Sequence, residues 1–328
     1  MGRSDVRSLY RLAAFLACAY ALPFAIGLWY GSVHGNAVWL GYLATVVLSG
    51  VLQGGVYAMF AVGLTLIFGV MRIINAAHGE LVMMGAYLTW VMFFHLGLDP
   101  LLSLLLTIPI AFLLGMALQK VLLQAVVGQP ELTALLVTFG LGLTIVYVTE
   151  LIFTTDFRTI PYAPGTLRLT RTIAVGQNKL ISFAIAVAIS AAVYLFLKLS
   201  RLGKAIRATA LNAEVAMICG ISVSRIYLIT TGLSAALAVA GGALVSIQFG
   251  FNPETGTLYT LQAFTIIILG GRGHYVGALI GGVMLAVLES LVSLLVPNGT
   301  AMTELAAYSL MILVLLIRPG GLMGVKEA

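Results

Sequence analysis

The sequence predicts an all-α fold, a polytopic transmembrane helical bundle of nine or ten membrane segments that include broken or short helices. Two observations carry that prediction. Hydrophobic residues make up 61 % of the chain and charged residues only 9 %, and the mean hydropathy is +1.10. Such a chain has too little charge to cover a water-facing surface. Uncharged runs then recur at 12–71, 81–98, 100–119, 132–149, 180–197, 226–253 and 255–271, with shorter ones at 273–288, 290–303 and 305–317. A hydrocarbon layer of roughly 30 Å takes about 20 apolar residues per helix, which most of these runs supply.

The remaining basic residues collect at Arg3, Arg7 and Arg11, at Lys198, Arg201, Lys204, Arg207 and Arg225, and at Arg318 and Lys326. That is the bias of cytoplasmic loops, so the net charge of +6 is no sign of nucleic-acid binding. Cys18 and Cys219 lie in separate regions and predict no disulfide, and no Cys/His cluster has metal-ligand spacing.

From the N-terminus, the arginines followed by small residues imitate a secretory signal peptide, but the apolar run to Tyr30 is long for one and ends in an interfacial Trp29–Tyr30 pair. A retained span over 9–30 is therefore expected, within a single transmembrane domain over 1–328. The stretch 39–71 would measure about 48 Å as one helix. That is too long for one upright crossing, and its five glycines from Gly50 to Gly69 are expected to bend or break it. Spans over 80–97, 101–124 and 132–153 follow, then an external loop at 154–179 whose Arg158, Arg168, Arg171 and Lys179 run against the charge bias. The remaining segments are 180–197, 226–249, a partial crossing at 259–271, 276–296 and 304–317, with both termini cytoplasmic. "LTLIFGVMR" (64–72) and "FTIIILGGR" (264–272) form a faint internal echo, each apolar into an Arg and a glycine-containing break. Interrupted segments at corresponding places point to transport pathways.

Two stretches carry chemistry. In "MRIINAAHGELVMMG" (71–85), Arg72, Asn75, His78 and Glu80 crowd into nine residues after 60 without charge. Either they form a cytoplasmic turn, with Asn75 capping the next helix, or they line a path through the bilayer. The second is expected: Asn75 would open helix N–H groups to a carboxylate, His78 shares its face, Gly79 admits close approach, and Glu80 attracts an ammonium group or pairs with Arg72. In the cytoplasmic loop 198–225, Ala208–Cys219 predicts a small-residue helix stopped by Gly220 and suited to a groove on another protein. Glycine pairs 50/54 and 277/281 predict close helix contact. Glu289, deep in an apolar helix, is either a functional carboxylate or one bonded to a neighbour.

Glu214-Val-Ala216-x-x-x-Gly220 resembles the coupling motif of ABC importer permeases, with Val215 replacing the usual alanine. Together with 55–88, "LGGRGHYVGALIGGV" (269–283) and "RPGGLMG" (318–324), it is similar to branched-chain amino-acid permeases of the LivH type, in order from about Gly41 to Gly324. The resemblance implies a bacterial inner-membrane subunit that works with a second permease or a copy of itself, two cytoplasmic ATPases and an external binding protein. Arg207, Asn212, Glu214, Ala216 and Gly220 would then couple to the ATPase, and Asn75, His78, Gly79, Glu80, Gln262, Arg272 and His274 would line the substrate pathway. No cofactor is expected in this chain: "RLGKAI" lacks the spacing and the Ser/Thr of a phosphate-binding loop, so ATP and Mg²⁺ fall to partners. Gln262, Arg272 and His274 depart from many relatives. Branched-chain amino acids remain the default substrate, with urea, short amides and other small organic solutes open. A stand-alone secondary transporter or channel would need intramembrane ion-coupling groups, of which Glu289 alone stands out. A membrane enzyme would need a catalytic constellation, and none is recognisable in the sequence.

Overall fold

The computed structural model describes residues 36–162, 165–170, 173–271, 273–296, 299–318 and 320–323. The expected first span at 9–30, the N-terminal arginines, Cys18, Arg171, Arg272 and Lys326 lie outside the described residues. Helices are α1 (Asn36–Met71), α2 (His78–Leu96), α3 (Leu104–Val121), α4 (Glu131–Phe153), α5 (Gln177–Leu199), α6 (Arg201–Leu211), α7 (Ala213–Ile218), α8 (Val223–Ser246), α9 (Thr255–Gly270), α10 (Tyr275–Leu295) and α11 (Gly299–Ile317). Seven of these, α1–α5, α8 and α10, are long and apolar enough to cross a membrane, and α9 and much of α11 form shorter apolar helices. With seven helices able to span a membrane among the described residues, the chain is a polytopic helical membrane protein.

α1 is the central column, packed against α5, α8, α9 and α10. It runs unbroken for 36 residues, about 54 Å, so the chain is not broken within 39–71. Its glycines serve contact instead. A Cβ at Gly54 would stand 2.5 Å from the Val283 Cα, and one at Gly50 2.8 Å from the Val287 Cα, so α1 and α10 meet backbone to backbone. Gly277 and Gly281 do the same for α10 against α9. Around this column α3, α4 and α5 bury only 28, 22 and 22 % of their most apolar windows, which places them in the outer ring.

One end of the bundle carries α6 and α7. The opposite end carries an antiparallel hairpin, β1 (Thr166–Arg168) paired with β2 (Ala174–Gly176), which an all-α expectation did not include. Arg158 lies beside that end, half-buried. Its backbone bridges to Phe251, its guanidinium stacks 4.3 Å over the Trp90 ring, and it donates to the Phe153 carbonyl. It is a structural clamp rather than a freely presented loop charge.

Candidate functional site

The break that the sequence places after Met71 is present. Arg72 turns the chain in the left-handed region (φ 55°), an uncommon conformation for a residue with a Cβ, and α2 starts only at His78. The intervening segment runs into the protein. A Cβ at Gly63 would touch both the Ser234 carbonyl and the His78 ring, and one at Gly142 would lie 3.4 Å from the Glu80 carboxyl. Ser234 and Gly142 are the middle residues of α8 and α4, so α2 begins at mid-depth of those helices.

Asn75, His78 and Glu80 are 3, 0 and 5 % exposed, which means that their polar groups must find partners inside the chain. Asn75 Oδ1 accepts the Ala77 N–H at 3.1 Å, Thr138 Oγ1 accepts the Ala76 N–H at 3.0 Å, and Thr260 Oγ1 accepts the Gly79 N–H at 2.8 Å. The Thr260 hydroxyl also lies 3.1 Å from Glu80 Oε2 and 3.3 Å from the Ala76 carbonyl. His78 Nε2 meets the Phe60 carbonyl at 2.8 Å, so that nitrogen carries the proton, while buried Nδ1 has no partner. These N–H groups at the entry to α2 are thus occupied, and a carboxylate reaching them would have to displace Asn75 and Thr260. Glu80 pairs with Thr260 and not with Arg72, whose side chain is exposed.

The other expected pathway residues are distributed differently. Gln262 lies two residues beyond Thr260 on α9 and is half-buried, its Nε2 donating to Glu289 Oε1 at 3.0 Å and to the Tyr57 hydroxyl at 3.3 Å. Glu289 is therefore a carboxylate bonded to a neighbouring helix. His274 is exposed on the α9–α10 turn, where Gly273 packs near Gly69 at the end of α1. The two halves of the echo agree locally, because the Thr65 and Thr265 hydroxyls both bond the carbonyl four residues back. They differ in place, one break entering the core and the other turning at the end of α1. Thr138, Thr260 and Tyr57 were not singled out from the sequence. A lone hydroxyl in an apolar helix more often bonds its own preceding turn, so nothing marked these three.

At the far end of the bundle, the single helix expected over Ala208–Cys219 is two, α6 and α7, divided at Asn212. Its side chain turns the chain by capping α7, accepting from the Glu214 and Val215 N–H groups at 3.0 and 3.1 Å. Gly220 takes the expected left-handed stop (φ 82°). Arg207 donates to the Leu197 carbonyl, and Glu214 is exposed. Ala216 is only 3 % exposed and faces its own chain, so the outward surface consists of Leu211, Val215, Met217 and Ile218, 84, 54, 61 and 85 % exposed.

The family described as branched-chain amino acid transport system / permease component matches residues 46–315. The high-affinity branched-chain amino acid transport system permease protein BraD of Pseudomonas aeruginosa is 30 % identical over 300 residues, 87 % of this chain and 97 % of BraD. LivH of Escherichia coli K12, of the same description, is 29 % identical over 303 residues, again 87 and 97 %. The ribose import permease protein RbsC of Bacillus subtilis is 35 % identical over 91 residues, 26 % of this chain and 28 % of RbsC. No solved structure matches the chain. With the family match running from within α1 to near the end of α11 over a helical membrane fold, the chain belongs to the permease components of branched-chain amino acid transport systems, and is a transport subunit rather than an enzyme.

Proposed function

We propose that this chain is the membrane permease of an ATP-driven importer for branched-chain amino acids or a closely related small polar solute. Two copies, or this chain and a paralogue, would pair in a bacterial inner membrane with two cytoplasmic ATPases and an external binding protein, both chain termini lying on the cytoplasmic side. The observation that carries this reading is the α6–α7 loop. Four large apolar side chains on it are exposed beside a basic entry, and such a surface is suited to a groove on a protein partner. The family match over residues 46–315 supports the same assignment. ATP and Mg²⁺ belong in the partners, since the sequence has no phosphate-binding loop.

The substrate follows from the relatives' names and from the polar groups available. Both full-length relatives named above are branched-chain amino acid permeases, whereas the ribose permease matches over only 26 % of the chain. Affinity capture of the full chain from membranes in which its genomic neighbours are co-expressed tests the assembly. An ATPase retained with the wild type and lost with Ile218→Glu is the expected result. Retention undiminished by that substitution would remove α7 from the interface.

A further inference from the structure

A second polar cluster lies apart from the break. Between α1, α9, α10 and α11 the structure holds a cavity of about 190 Å³, lined among others by Tyr57, Gln262, Glu289, Glu304 and Tyr308. Glu304 and Phe249 are exposed at its rim, while Tyr57 is 7 % exposed at its inner wall. The chemistry of the lining is one-sided. Two carboxylates face the same space, and no Lys, Arg or His is among the described lining residues. Gln262 turns both of its assigned bonds outward from Nε2, toward Glu289 and Tyr57, which leaves its buried Oε1 without a partner. One turn back on the same face of α1, Gln53 is 6 % exposed and neither end of its amide is paired.

An unpaired amide oxygen on Gln262, beside two carboxylates that line the same cavity, calls for a ligand that brings N–H donors. A carboxylate or phosphate would meet only like charge here. A neutral sugar would leave both Glu side chains without a counter-charge. A protonated amine satisfies the set, since its three donors match a carboxylate, a second carboxylate and an amide oxygen. The volume is below the usual range of drug-sized pockets, roughly 300–1,000 Å³, and suits a solute of amino-acid size or smaller.

We propose that this cavity is the ammonium-binding site of the permease, with Glu289, Glu304 and Gln262 Oε1 as acceptors for the amine of the transported solute. The proposal rests on the importer reading for its solute, but not for its chemistry. Glu289 is held by Gln262 and faces the ligand from within. Glu304 stands at the mouth and draws the cation in. Tyr57 and Tyr308 supply hydroxyls that orient the amine or bridge it through water.

The test uses the full chain with its co-expressed partners in lipid nanodiscs and three probes: leucine, isopentylamine and 4-methylpentanoate. Binding is read as ligand-dependent thermal stabilisation, which grows with the logarithm of ligand concentration over Kd. Leucine and isopentylamine are expected to stabilise the protein, and the deaminated acid is not. Glu304→Gln, at an exposed position on the rim, is expected to weaken isopentylamine at least fivefold, and Glu289→Gln at least tenfold. Should Glu289→Gln fail to fold, Glu304→Gln alone decides. Equal stabilisation by the acid and the amine, or amine affinity unchanged in Glu304→Gln, overturns the site. Absence of ATP-driven uptake by the wild type would instead overturn the importer reading, and the amine series would still decide the site by itself.

Discussion

Gly79 has no room for a side chain. A Cβ there would stand 2.0 Å from the Gly256 carbonyl and 2.2 Å from the Thr260 nitrogen, both backbone atoms that cannot swing aside. Gly79→Ala is therefore expected to lower stability by about 1–3 kcal/mol, the usual cost of overpacking. Gly140, also within a helix, has nothing within 4 Å of its Cβ position, so Gly140→Ala is expected to gain about 0.5–1 kcal/mol. Thermal melts of the two variants in one detergent compare them directly, and the reverse ranking would contradict the packing described. Thr260→Val deprives both the Gly79 N–H and Glu80 of their hydroxyl partner and should cost about 1–3 kcal/mol. Thr260→Ser should recover most of it; a melt in which Val and Ser behave alike would deny the hydroxyl its part. Asn75, His78 and Glu80 were legible as a polar knot because charge is so rare around them. The inward bonds of His78 and Glu80 were not, because their partners, the Phe60 carbonyl and the Thr260 hydroxyl, lie 18 and 180 residues away.

At the scale of elements, α7 depends on one side chain. Asn212 satisfies two N–H groups at its start, so Asn212→Ala should cost about 1 kcal/mol, felt locally as fraying of a six-residue helix. Hydrogen exchange across 213–218 reads this, and unchanged protection there would show that packing of Ala216 alone holds the turn. Ala216 and its neighbours divide two roles that the coupling motif merges: Ala216 anchors the helix to the permease, while Met217 and Ile218 present outward. Ile218→Glu should leave the melting temperature nearly unchanged and reduce substrate-stimulated ATP hydrolysis severalfold. Ala216→Arg should instead lower the melting temperature. The split at Asn212 follows from capping chemistry, which an asparagine inside a small-residue run announces only weakly. The glycines of α1 misled in the other direction. They looked like places to break the helix, but Gly50 and Gly54 lie against the backbone of α10 and Gly63 against that of α8, so these three serve close helix contact.

For the whole molecule, the membrane segments were read from runs of apolar residues because lipid forces every backbone group into a helix of predictable length. The paired strands 166–168 and 174–176 escaped that reading, being only three residues each and built of residues that a loop would also use. The proposed assembly rests on the ordered motifs and on the apolar surface of α7, since partners leave no trace in hydropathy. The central claim is that this chain moves a branched-chain amino acid at the expense of ATP hydrolysed elsewhere. Uptake of labelled leucine into proteoliposomes holding the permease and its co-expressed ATPases, with binding protein on one side and ATP on the other, measures it most directly. Accumulation that needs ATP, the binding protein and the ATPase subunits is the predicted result. Leucine movement of equal rate without ATP or without the ATPases would contradict it.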